Sequence, residues 1–396
     1  MRWKRSISVF GSTALAVGGL LIPASAMASS TTVTIGVGHA DFANQNPFQN
    51  RVFEYTDFFS RDVTVHAGNL VDFQTAPSEF HSIALAPVVI PLPVFVADTD
   101  DAPAKGTGVA KVGAGPGLGM AFAGPTCGAF GAPACVFNGG APVNSGAIAG
   151  FGPTGPAAVD WNVQIDASTP AGTYHYFCYI HPGMQGVLHV VDSSVPGTAQ
   201  SQIDADSSAL FAVDRAAGLA LEAADNSAGP SSGVPGSRTW TVHVGDTTAD
   251  NHVAILEMMP QSLTSLVSGD TVKYVWGALE PHTVGFGPDA NLPLPFGWDC
   301  RTSFVGFSTE GGPGAPPSCV EIEQGRPEIV GDPGTRGPGQ GLNRQQLTDS
   351  GLLVGSAYGV TPGAESWSVA AAQPGTYAYH CTLHDFMVGS LTVTGD

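Results

Sequence analysis

Gly375-Thr-Tyr-Ala-Tyr-His-Cys381-Thr-Leu-His384-Asp-Phe-Met387, close to the C-terminal end, occurs 203 positions earlier as Gly172-Thr-Tyr-His-Tyr-Phe-Cys178-Tyr-Ile-His181-Pro-Gly-Met184. Each copy opens as a strand. Alternate side chains share a face, so with Cys381 inward Tyr379 and Tyr377 are inward too, while His380 and Ala378 point outward. Past the cysteine the chain turns, and the Cys-x2-His-x2-Met spacing gathers a thiolate, an imidazole and a thioether round one point. An earlier histidine completes each set: His81 in Glu79-Phe-His-Ser82 and His282 in Glu280-Pro-His-Thr283. One thiolate, two imidazoles and one thioether are the donors of a trigonal two-histidine, one-cysteine copper centre with a long axial methionine.

Working outward, the two halves match along most of their length. Val33–Gly38 corresponds to Trp240–Gly245, Val63–Gly68 to Leu263–Gly269, Asn144–Gly150 to Asp349–Gly355, and Trp161 to Trp367. The offset is 201 at the first histidine and 203 at Cys, second His and Met, which argues for duplication of a whole domain. The matched segments are short, rich in Val, Thr, Tyr and Phe, and bounded by Gly, Pro or Asp. That pattern predicts an all-β fold of two Greek-key β-sandwiches in tandem. Between first histidine and cysteine each half carries a Gly/Pro-rich insertion, roughly 91–142 and 288–347, expected as loops on the sandwich. Residues 200–224 are rich in Ala and Leu and fit one helix within the linker, read as a packed spacer. The expected division is a signal peptide over 1–28, a first domain over 29–192, a linker over 193–236 and a second domain over 237–396.

The signal peptide is read from Arg2, Lys4 and Arg5, the apolar run Ile7 to Ile22, and small residues at Ala24-Ser-Ala26 or Ala26-Met-Ala28. The reading implies a secreted, extracellular or periplasmic protein with no stable membrane anchor. Removing the leader takes away three positive charges, so the net charge of −19 becomes about −22. Such a chain repels nucleic acid and anionic lipid and attracts a basic partner. With 52 glycines and 31 prolines in 396 residues, against roughly 12% for the two together in average proteins, long helices are not expected. Four cysteines lie outside the metal motifs. In an oxidising compartment Cys127 with Cys135, and Cys300 with Cys319, are expected as local disulfides, one per domain.

The Cys-x2-His-x2-Met loops are similar to those of amicyanin, and both halves resemble the plastocyanin/azurin family of cupredoxins over about two thirds of the chain. The resemblance implies two type 1 copper ions: one held by His81, Cys178, His181 and Met184, the other by His282, Cys381, His384 and Met387. It implies one-electron transfer with a redox partner protein, and His181 and His384 near the surface as electron ports. The residue after the first histidine, often Asn in the family, is here Ser82 or Thr283, whose hydroxyls can still hydrogen-bond. Pro182 and Pro281 stiffen the backbone beside the donors, and Phe80, Phe177 and Phe386 are expected to exclude water.

Two other classes stay open. Two-domain cupredoxins include nitrite reductases and multicopper oxidases. Seven histidines remain: His39, His66, His175, His189, His243, His252 and His380. A trinuclear oxidase cluster takes eight, in His-x-His pairs, and the chain has no such pair. A nitrite-reductase-type site between subunits could use His380, but its next expected ligand position is Ala86 or Gly287. His380 is read as a strand-surface histidine, and His175, His189 and His243 as surface or packing residues. Copper storage or delivery is the third class, disfavoured by the few methionines and by one cysteine per loop.

Overall fold

The computed structural model describes residues 31–39, 53–76, 79–89, 127–128, 131–149, 151–152, 155–156, 159–179, 181, 183–277, 279, 282–286, 340–341, 348–350, 353, 365–381 and 387–395. The 1–28 leader, Cys300, Cys319, Pro182, Pro281, His384, Phe386, the side chain of Phe80 and most of both insertions lie outside the described residues.

Alternating β-branched or aromatic and polar residues make the strands and choose their buried faces. Val63 and Val65 are buried while Asp62 and Thr64 are not, and Trp161, Val163 and Ile165 alternate with Asp160, Asn162 and Gln164 in the same way. The first half supplies β1 (Thr32–Val37), β2 (Phe53–Tyr55), β3 (Phe58–Phe59), β4 (Asp62–His66), β5 (Leu70–Thr75), β6 (Phe80–Ala86), β7 (Cys135–Phe137), β8 (Val143–Ala149), the short β9 (Phe151–Gly152) and β10 (Gly155–Pro156), β11 (Val159–Ile165), β12 (Gly172–Phe177) and β13 (Gln185–Val191). Helix α1 (Gln200–Asn226) follows. The second half supplies β14 (Thr239–Thr247), β15 (Val253–Met259), β16 (Ser262–Val267), β17 (Thr271–Gly277), β18 (Gly285–Phe286), β19 (Gln340–Gly341), β20 (Thr348–Asp349), β21 (Ser366–Ala370), β22 (Gly375–His380) and β23 (Val388–Thr394).

The first sandwich packs sheet β3-β1-β5-β11-β7 on sheet β4-β13-β12-β6-β8; the second packs β19-β21-β17-β14-β15-β2 on β16-β23-β22-β18-β20. Both halves pair their first strand parallel to the equivalent strand, β1 with β5 and β14 with β17. Two β-sandwiches in tandem are therefore what the chain forms. Their cores are built alike. Phe73 lies against Trp161 with ring centroids 5.4 Å apart, and Tyr274 against Trp367 at 5.8 Å.

Three features depart from the sequence reading. α1 runs for 27 residues, although the overall composition disfavours long helices. The average hides a local exception: 200–226 contains no proline and the single glycine Gly218. Second, Cys135–Phe137, inside the expected loop insertion, is strand β7 and pairs parallel with β11. Third, β2 belongs by sequence to the first domain but pairs antiparallel with β15 and completes a sheet of the second. Around that exchange Phe53, Tyr55, Phe59, Val253, Ile255 and Met259 form a buried cluster against Leu210, Phe211 and Leu221 of α1. The helix is a packed spacer, as expected. Among the described residues no helix is long and apolar enough to cross a membrane.

Candidate metal centres

In the first half β6 carries His81, and the turn after β12 carries Cys178, His181 and Met184. All four are at most 7% exposed. The Nδ1 atoms of His81 and His181 face each other at 3.1 Å, and Cys178 Sγ lies 3.7 Å from His181 Nδ1. One ligand atom from each of His81, Cys178 and His181 falls within 4.8 Å of the others. Backbone bonds fix the turn: Cys178 N–H donates to the Met184 carbonyl at 2.9 Å, and Met184 N–H to that of His181 at 3.2 Å. The Ser82 amide donates to Cys178 Sγ at 3.4 Å, while its hydroxyl accepts from the Tyr179 amide at 2.9 Å. Ser82 thus ties the two strands together.

Electrostatics favour a metal-ready thiolate. Burial pushes the Cys178 thiol up, but the charge and hydrogen bond of His181, then those of His81, reverse this and hold it well below the usual thiol range. His81 moves the opposite way. Burial lowers it, and its bonds to Cys178 and Glu79 outweigh that and raise it.

The second half repeats the scaffold. His282, Cys381 and Met387 are fully buried. Cys381 Sγ lies 3.9 Å from His282 Nδ1 and accepts from the Thr283 amide at 3.4 Å. Cys381 N–H donates to the Met387 carbonyl at 2.9 Å. His384 lies outside the described residues; of the other three expected donors, His282 and Cys381 are brought together and Met387 is buried at the end of the turn. His380, at the end of β22, is partly exposed.

His181 corrects an expectation. The resemblance puts it near the surface, yet it is fully buried. The neighbouring Gly183 lies against the second half: a Cβ there would be 3.5 Å from Asn251 Cβ.

The expected disulfide Cys127–Cys135 is present. It pins the entry to β7. His243, read as a surface or packing residue, and His252 sit in ion-pair clusters along α1. His252 lies near Asp57, Asp214 and Asp250, with Arg61 donating to Asp57. His243 lies between Asp225 and Asp246 at 3.7 and 3.5 Å. Burial, then the neighbouring Asp57, pushes the Asp214 carboxyl up to about 7. Arg61 of the first half and His252 of the second meet at 2.8 Å beside Asp214 of α1, while His243 ties β14 to Asp225 of α1.

Sequence reasoning missed Glu79. It is fully buried, 3.1 Å from His81 Nε2, and accepts from the Tyr55 amide at 3.1 Å. A signal existed: Glu stands two residues before the first histidine in both halves, which on a strand is the same face.

No family model and no curated protein matches the chain. Among solved structures, an oxidised plastocyanin from Dryopteris crassirhizoma is 20% identical and covers 39% of this chain and 99% of its own, with a TM-score of 0.19. A reduced auracyanin from the photosynthetic bacterium Roseiflexus castenholzii is 18% identical over 41% of this chain and 98% of its own, TM-score 0.20. A copper-containing nitrite reductase from Thermus scotoductus SA-01 is 12% identical over 92% of this chain and 67% of its own, TM-score 0.20. TM-scores of this size carry no weight, and the fold rests on the strand order described above.

Proposed function

We propose that the chain is an exported blue copper protein that carries single electrons on two type 1 centres, one in each sandwich. His81, Cys178, His181 and Met184 would hold one ion; His282, Cys381, His384 and Met387 would hold the other. The observation that supports this reading is a buried cysteine sulfur set against a buried histidine at the same place in both halves, with a buried methionine closing each turn. Copper bound there supplies one-electron exchange between its cuprous and cupric states.

The protein residues have definable tasks. Cys178 is biased toward thiolate by its histidine neighbours, so it is ready to bind metal without first losing a strongly held proton. The Ser82 and Thr283 amides aim at the sulfurs, and hydrogen bonds to a ligand sulfur tune a centre's potential. Tyr176, Phe177 and Met184 are almost fully buried and keep water from the first pocket, while Tyr379 and Met387 do so in the second. The acidic chain favours a basic redox partner. The reading includes removal of the 1–28 leader and domains over 29–192 and 237–396 about the 193–236 linker.

Metal counting with electron paramagnetic resonance tests it. The recombinant chain should bind two Cu(II) with type 1 spectra and turn blue. Cys178→Ser and Cys381→Ser should each abolish one of the two signals. A colourless protein without stoichiometric copper overturns the proposal.

A further inference from the structure

Glu79 stands between the first centre and the interface of the two halves. Its Oε1 accepts the amide of Tyr55 at 3.1 Å. Its Oε2 lies 3.1 Å from Nε2 of His81. Tyr55 belongs to β2, whose ladder partners lie in the second half: Tyr55 opposite Val253 and Phe53 opposite Ile255. Just beyond β2, Thr56 N–H donates to the His252 carbonyl at 3.0 Å, and its hydroxyl donates to the Asn251 carbonyl at 2.6 Å. A short chain of bonds therefore runs from the second sandwich through β2 and one carboxylate to a donor residue of the first.

We infer that Glu79 is a positioning residue for His81, and that docking of the second sandwich through β2 sets where it stands. This rests on the copper reading above. His81 turns Nδ1 toward His181 and the thiolate side of the pocket, so its ring proton belongs on Nε2, facing Glu79. Two N–H donors, from Tyr55 and from the ring, then converge on one side chain. Only a carboxylate offers an acceptor oxygen to each; glutamine presents one acceptor and one donor. Space is reserved for the pair. A Cβ on Gly38 would overlap Glu79 Oε2 and come within 2.7 Å of His81 Nε2, and Gly38 has φ +69°. A carboxylate accepting the outer N–H of a metal-bound imidazole fixes its orientation and raises its basicity, which favours the cupric state.

The test separates the centres within the full chain. In a Cys381→Ser background, which leaves the first centre, Glu79→Gln should weaken Cu(II) binding by about 10–100-fold, raise the reduction potential and change the copper hyperfine splitting. The downfield ring N–H resonance of His81 in the Cu(I) protein should move or vanish. In a Cys178→Ser background, which leaves the second centre, the same substitution should change nothing. Gly38→Ala presses on the same oxygen that faces His81 and should shift the first centre in the same direction. Phe53→Ala, which thins the docking cluster without touching a donor, should shift it in the same sense by less. A copper-loaded first centre indifferent to both Glu79→Gln and Gly38→Ala overturns the positioning role. Equal shifts in both backgrounds overturn it too, since the effect would then be global. Indifference to Phe53→Ala alone overturns the link to docking. Copper bound in neither background sinks the copper reading itself, and this inference with it.

Discussion

The two candidate metal centres share their backbone bonds and differ in what stands behind them. Ser82 and Thr283 each direct an amide to sulfur at 3.4 Å. Ser145 accepts the Ile83 amide at 2.9 Å, and Ser350 accepts that of Val284 at 2.8 Å. The Cys-to-Met backbone bond is 2.9 Å in both. Away from the sulfur the halves part. The turn before β5 is held by neutral Asn69, that before β17 by Asp270; the ring on the core tryptophan is Phe73 in one and Tyr274 in the other. A repeated strand-and-turn frame thus tolerates different supports, provided each closes its own hydrogen bonds.

Asp270 gives the largest way to break the equivalence. Asn69 Oδ1 accepts the His66 amide at 2.9 Å, and Asp270 Oδ2 accepts the Val267 amide at 3.1 Å. Asp270 is fully buried and also takes Arg238, whose Nη2 is 2.7 Å away, together with the Arg238 amide and the Trp240 indole. Burial pushes its carboxyl up, but these bonds overcome that and hold it well below the usual carboxylate range. A carboxyl depressed in the folded state stabilises above its unfolded pKa of about 3.9. That contribution is lost as the pH falls below this value toward the folded pKa. The second sandwich should therefore carry an acid sensitivity below about pH 4 that Asn69 does not give the first. Asp270→Asn should cost about 3 kcal/mol near neutral pH and flatten that acid limb. Adding Arg238→Thr, which copies Thr31 of the first half, should recover part of the loss. Urea melts of the single and double variants decide it; equal losses in both would show that the arginine is not the partner that matters.

A smaller effect should sharpen the equivalence. Gly186 and Gly389 lie opposite Tyr176 and Tyr379 across the β12–β13 and β22–β23 ladders. At either glycine an added Cβ would overlap the tyrosine ring. Gly186→Ala and Gly389→Ala should each cost about 1–3 kcal/mol by overpacking, by similar amounts, read from the same denaturant melts. A cost in only one half would mean that the two tyrosines are not held alike.

Much of this frame was legible in the chain. Period-two alternation and the Cys-x2-His-x2-Met spacing are local, and they located both sandwiches and the turns at which Cys178 and Cys381 meet a buried histidine. What escaped depends on partners far apart in sequence. β2 has three residues, too few for a period, and its ladder partner begins at Val253. Glu79 shares a face with His81, but its role needs the Tyr55 amide. His181 reads as an exposed edge, yet it is fully buried, with its ring set against Cys178 and, from another strand, His81. His243 and His252 are unremarkable until α1 brings Asp225 and Asp214 alongside. Average composition also misled, because the glycine and proline that discourage helices are absent from nearly all of 200–226.

The smallest difference concerns one hydroxyl. In the first core Tyr176 donates its hydroxyl to the Ser60 carbonyl at 2.7 Å, and its neighbour Phe73 has none to satisfy. In the second core Tyr274 and Tyr379 are both buried, with ring centroids 5.2 Å apart, and among the described residues their hydroxyls face only each other, without good hydrogen-bond geometry. A buried polar group without a partner costs about 1–3 kcal/mol. Tyr274→Phe, which copies the first half, should then leave the fold unchanged and stabilise it by up to about 1 kcal/mol, or about 2–4 °C in Tm for a domain of this size. The reverse exchange, Phe73→Tyr, should lower Tm, because it buries an oxygen beside a tyrosine already committed to Ser60. Should Tyr274→Phe lower Tm instead, the two hydroxyls must bond to each other in solution. The second core would then be held by a polar pair that the first lacks, and the likeness of the two cores would end at their rings.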